Sequence, residues 1–235
     1  MKRRSFLFGL GAVTLFPALA QANGAFTDRA FELERVLVRS LADGHELRVT
    51  RRWSIGFSAD ADGLLRVVGK QDFARVDAPE ALAAIARMEE NRSETGFLPL
   101  TLDREGRIMS DGTDAAVPPL PEEAMTQALA FARSRQGEAT TTDASRRFVA
   151  DLASSGDHWL TRLPPDLFFP TPRERSASRP VTLPDGTEGV VEMTETVRAR
   201  SESGLLESFA RTVSTSTQSI TRRGRDDWTL SPAVS

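Results

Sequence analysis

The chain has 235 residues, with 30 basic against 33 acidic side chains, two histidines and no cysteine. The slightly acidic balance gives no electrostatic reason to bind nucleic acid, and the missing thiols exclude disulfides, thiolate metal sites and a lipid-modified N-terminal cysteine. A chain of this length can bury roughly 70% of its unfolded surface in one core, so a single globular domain is the simplest organisation.

The first element stands outside that domain. Met1-Lys2-Arg3-Arg4 carries the only charges before Asp28, and Phe6 to Leu19 is an apolar run too short for an ordinary membrane span. Ala20 and Ala22 form an Ala-x-Ala signature ahead of Asn23. Residues 1–22 therefore read as a cleavable signal peptide and 23–235 as one globular domain with a periplasmic or other extracytoplasmic location. Arg3-Arg4 followed by Ser5-Phe6-Leu7 also resembles the twin-arginine signals that carry folded proteins across the bacterial inner membrane. The alternative is an ordinary Sec signal whose basic start contains two arginines; Phe8 stands where many twin-arginine signals have a lysine. Cleavage would remove Lys2, Arg3 and Arg4 and leave 213 residues with 27 basic and 33 acidic side chains, a formal charge near −6. Later apolar segments are short or interrupted by charge, so no membrane span is expected after cleavage.

From Arg29 to Val76 the pattern has period two, which puts alternate side chains on one face of a strand. Phe31, Leu33, Leu37 and Leu41 share one face, as do Leu47, Val49, Trp53, Ile55 and Phe57. Ala42-Asp43-Gly44 between them reads as a three-residue hairpin loop, because glycine enters the left-handed region without Cβ strain. That loop sets Leu37 opposite Val49 and Leu33 opposite Trp53. Ala61-Asp62-Gly63 repeats the device and leads into a third antiparallel strand, Leu64 to Val76.

A helix is expected from Pro79 to about Arg92, with proline in its first turn and Leu82, Ile85, Ala86 and Met88 or Glu89 on one side. A short strand, Phe97 to Asp103, and a turn at Arg104-Glu105-Gly106 follow. Asp111 to Pro121 reads as a surface loop, Pro121 to about Ser134 and Asp143 to about Ser155 as two further helices, and Leu163 to Arg179 as irregular. Alternation then returns. Val191, Met193, Val197 and Ala199 form one apolar face, and Leu205, Phe209 and Val213 another. A loop of Glu202-Ser203-Gly204 sets Val197 opposite Phe209 and Met193 opposite Val213, whereas a two-residue loop would put the two faces on opposite sides. Thr217 to Leu230 adds a final strand around Ile220 and Trp228.

Long hairpins with helices in the middle of the chain predict an α+β fold: a curved antiparallel β-sheet with about three helices packed on one face. In strand order and length this outline resembles the half-barrels of periplasmic lipoprotein carriers, whose helices plug a concave apolar sheet. The resemblance implies a carrier fold and assigns no residue.

Chemistry-bearing motifs are few. His45 and His158 are far apart and neither has a ligand-spaced partner. No Gly-x-Ser-x-Gly elbow occurs, and the glycine pair Gly9 and Gly11 lies in the signal. Asp60-x-Asp62-Gly63 opens like a calcium loop, but Leu65 and Gln71 fall where a glycine and a glutamate are needed. Glu122 and Glu123 suit the first turn of a helix. Arg222, Arg223 and Arg225 near Trp228 are interrupted by Asp226 and Asp227. No catalytic residue, metal site or cofactor follows from these residues; Asp103 and Asp157 are the acids an enzymatic reading would use.

Charges embedded in the apolar faces are more informative. The Gly44 register sets Arg35 opposite Arg51, beside Trp53, and like charges directly opposite repel. Relief requires internal acids, water or a bound anion, so Arg35, Arg51 and Trp53 are candidate ligand-binding residues. The Gly204 register sets Glu195 opposite Arg211 as a structural ion pair. The functional expectation is a non-catalytic periplasmic carrier for an amphiphilic or anionic small molecule or lipid. The alternative is an interaction or assembly factor of the cell envelope that docks another protein by its sheet edges or polar faces.

Overall fold

Period-two alternation builds the molecule. A computed structural model of the chain describes residues 29–41, 44–59, 62–92, 98–109, 163–182, 188–217 and 221–233. The first three strands are β1 (Ala30–Ser40), β2 (Glu46–Ala59) and β3 (Leu65–Asp77). Leu41 donates to the His45 carbonyl at 2.7 Å, and Gly44 has φ +82°, a left-handed conformation that a Cβ would strain. The register sets Leu33 against Trp53, Arg35 against Arg51 and Leu37 against Val49.

A bulge at Arg52/Trp53 leaves Asp72 as the extra residue of β3. It changes parity within the strand, so Leu65, Val67 and Val76 all face inward although the first two are odd and the last even. The Ser54 amide donates to Asp72 Oδ2 at 3.0 Å, and the Ser54 hydroxyl bonds the same oxygen. That hydroxyl is the main reason the Asp72 carboxyl titrates below the ordinary aspartate range.

A 3₁₀ turn, Glu80–Leu82, runs into helix α1 (Ala83–Asn91), and then comes the short strand β4 (Leu100–Leu102). The second half gives β5 (Arg173–Thr182), β6 (Glu188–Ala199), β7 (Leu206–Thr217) and β8 (Thr221–Pro232). The eight strands among the described residues form one antiparallel sheet in the order β4-β3-β2-β1-β8-β7-β6-β5. The join is β1 against β8, with Leu33 opposite Leu230 and Arg35 opposite Trp228.

Three expectations are corrected. The fold is mostly antiparallel sheet instead of α+β with about three helices: within the described residues, long strands dominate and α1 is one nine-residue helix. The helices expected over 121–134 and 143–155 lie outside the described residues. The segment expected to stay irregular up to Arg179 becomes β5 from Arg173. Its sequence alternates arginine with serine and glutamate and buries nothing fully, so it carries no hydrophobic period; backbone pairing to β6 makes the strand. The β6–β7 loop is longer than three residues. Arg200 donates to the Leu205 carbonyl at 2.8 Å around residues 201–204, and a register shift at Arg198/Ala199 absorbs the extra residue. Val197 therefore still meets Phe209 and Met193 still meets Val213.

The core sits at one end of the inner face. Leu33, Trp53, Phe57, Phe209, Trp228 and Leu230 pack there with Leu102 from β4 and with Leu167 and Phe168 from the segment before β5. Trp53 stacks on Trp228 with ring centroids 5.9 Å apart and 17° between planes. Burial of each such side chain contributes about 1.5–3 kcal/mol, so this end carries most of the stability. A smaller cluster of Val49, Val76 and Ala86 lies under α1. No helix among the described residues is long and apolar enough to cross a membrane.

Candidate functional site

Next to the sealed core, the inner face carries a belt of charge across the sheet. Arg51 on β2 is 2% exposed and lies beneath the end of α1. It donates to the Glu89 carbonyl at 2.8 Å, the Arg92 carbonyl at 2.8 Å, Glu89 Oε1 at 2.9 Å and Gln71 Oε1 at 3.1 Å. A cation at these carbonyls satisfies the acceptors a helix leaves open at its C-terminus and complements the negative end of its dipole.

Arg35 on β1 is directed instead to β8. Its Nε and Nη2 donate to the two oxygens of Asp226 at 2.8 and 3.2 Å, and its guanidinium lies 4.8 Å from the Trp228 ring centre. Asp226 is fully buried and also accepts from Trp228 Nε1 at 3.1 Å. The two facing arginines thus have separate acids, one from the helix and one from the last strand, and their repulsion is offset on both sides.

The belt continues at Glu195 on β6, whose side chain is wholly enclosed. Arg211 reaches its Oε2 at 2.9 Å, while Arg173 and Arg175 reach its Oε1 at 2.8 and 3.0 Å. Arg173 also meets Asp166 at 2.5 Å. Burial on its own would push the Glu195 carboxyl up, but hydrogen bonds from Arg173, Arg211 and Arg175 outweigh it and hold the group below the usual glutamate range. Burial likewise works against the charged form of Arg173, yet Asp166 and Glu195 keep its pKa raised.

No protein-family model matches the chain, and no curated protein matches it in sequence.

Of the residues singled out in the sequence, Arg35 and Arg51 sit side by side and Trp53 is adjacent but 0% exposed, enclosed by the core. Glu195 and Arg211 meet across β6 and β7. Arg3, Arg4, Ala20 and Ala22 lie outside the described residues, as does His158. Sequence reasoning missed Glu89, Asp226, Asp166, Arg173 and Arg175. Asp226 had a signal: it shares the parity of Trp228 and Leu230, so it had to enter the same face. A cleft at this position is lined by Arg35, Leu37, Val49, Arg51 and Glu89 and has about 30 Å³ of room. That volume suits a water or two and falls far short of a drug-sized pocket. Among the described residues, no three His, Cys, Asp or Glu side chains gather as a metal site would require.

Proposed function

We propose that this protein is an extracytoplasmic, non-catalytic carrier whose ligand is amphiphilic and lies along the inner face beyond the ion belt. The observation that carries this reading is the division of that face. On one side of the belt the core is sealed; on the other, Leu37, Val191, Met193 and Val213 point the same way and remain partly exposed. An aliphatic chain covering such a strip removes apolar surface from water at about 25 cal/mol per Å², without displacing the ion pairs. Arg35 and Arg51 then line the floor near the strip and position Glu89 and Asp226 instead of gripping an anion directly.

Extraction of the protein from its native compartment, followed by native mass spectrometry, tests the reading. A retained amphiphile that is lost in Met193→Arg with the melting temperature unchanged is the expected result. A ligand-free protein that also fails to take up a fluorescent fatty acid would overturn it. The location rests on residues 1–22: replacing Arg3 and Arg4 together with lysine should trap a twin-arginine substrate inside the cell, whereas unchanged export selects the Sec route.

A further inference from the structure

Among the described residues, strand β5 is the long free edge of the sheet, and the direction of its backbone groups follows from the first hairpin. Leu41 donates to the His45 carbonyl, so odd residues of β1 bond to β2 and even residues to β8. In an antiparallel sheet this alternation passes from strand to strand. Carried through Glu34↔Thr229, Arg211↔Asp226, Thr194↔Thr212 and Arg175↔Glu195, it turns the even residues of β5 away from β6. Pro180 agrees independently, because a proline inside a strand belongs where its nitrogen meets no partner, and position 180 is even. Glu174, Ser176 and Ser178 therefore aim their N–H groups at open solvent. Every residue from Glu174 to Pro180 is exposed.

Charges and prolines on an edge limit uncontrolled pairing. Pro180 does so at the far end of β5, while the stretch before it keeps a complete row of donors and acceptors. The flanking side chains select what can pair there. Arg175 points to the inner side, is 54% exposed and approaches Glu195 Oε1 with Nη2 at 3.0 Å. Glu174 points to the outer side. On an antiparallel incoming strand, the residue opposite Arg175 directly precedes the one opposite Glu174, and Ser176, Ala177 and Ser178 leave room for β-branched neighbours. The geometry points to β5 as a strand-addition site for an extended peptide segment in which an acidic residue is followed directly by a basic one. An amphiphile on the inner face and a peptide on this edge are separate events, so this inference stands or falls apart from the carrier reading.

The probe is a fluorescein-labelled peptide containing Thr-Val-Thr-Glu-Lys, titrated into the full chain by anisotropy against the same peptide with Glu and Lys exchanged. The original order should bind about threefold tighter or more, since two cross-strand charge pairs change sign. In NMR hydrogen exchange, bound peptide should protect the Ser176 and Ser178 amides and leave Ala177 unchanged. Ser176→Pro deletes an outward donor without losing a bond to β6, so the melting temperature should hold while binding falls at least tenfold. If that variant is destabilised, Glu174→Lys carries the test on an exposed side chain: it should weaken the Glu-Lys peptide and favour one ending in Glu-Glu. No saturable binding, equal affinity for both charge orders, or unchanged binding by Ser176→Pro and Glu174→Lys would each overturn the proposal.

Discussion

Replacing Glu195 by glutamine removes one negative charge from the centre of three guanidiniums and keeps nearly the same volume. The cost can be set from the surroundings. Breaking a buried ion pair from one side costs about 3–5 kcal/mol, because the remaining charges stay without compensation. Here Arg175 is half-exposed and screened by water, and Arg173 retains Asp166, so the lower end of that range applies, about 3 kcal/mol. For a domain of this size the melting temperature should fall by roughly 6–12 °C. Circular dichroism melts of the full chain read the shift, and a double-mutant cycle with Arg211→Met should return a coupling of about 1–3 kcal/mol. The pH dependence has a definite sign. Because the folded-state carboxyl titrates below its unfolded value of about 4.3, its contribution is complete above that pH and is lost as pH falls through the depressed folded value. The gap between wild type and Glu195→Gln should therefore be widest near neutrality and close in acid. A loss under about 1 kcal/mol, or a gap that does not change with pH, refutes the belt as a stabilising device.

Two further outcomes follow from the same geometry. Arg51→Met removes a buried donor from the Glu89 carboxylate and from the Glu89 and Arg92 carbonyls at the end of α1, and Arg92 still serves Glu89, so the urea midpoint should drop by the equivalent of about 2 kcal/mol. The bare repulsion between Arg35 and Arg51 implies the opposite, equal or greater stability for methionine, so a midpoint that holds or rises would show that these bonds contribute nothing. Trp53→Ala removes one half of the Trp53 and Trp228 stack from the sealed core and should cost about 3–5 kcal/mol, together with the near-ultraviolet signal of the pair. Near-native stability and signal in that variant would mean the core is looser than described.

The sequence alone determined what depends on residues close together along the chain. Alternation fixed which side chains of β1, β2, β6 and β7 share a face, and Gly44 fixed the parity of the first hairpin, so Arg35 against Arg51 could be read before any coordinates; Glu195 against Arg211 was read from a three-residue loop and holds because a register shift absorbs the extra residue of the longer one. The helix over Pro79 to Arg92 was legible for the same reason, since its proline start and apolar spacing are local. Tertiary structure decided the partners that arrive from afar. Asp226 reaches Arg35 across 191 residues only because β8 inserts beside β1, and nothing within either hairpin specifies that join. The Asp72 bulge turns β3 inside out midway, which a strict two-residue period has no means to express. Strand β5 left no hydrophobic trace because an edge strand can be held by backbone bonds with its side chains in water, so both its existence and its open row of amides appear only when β6 is placed beside it.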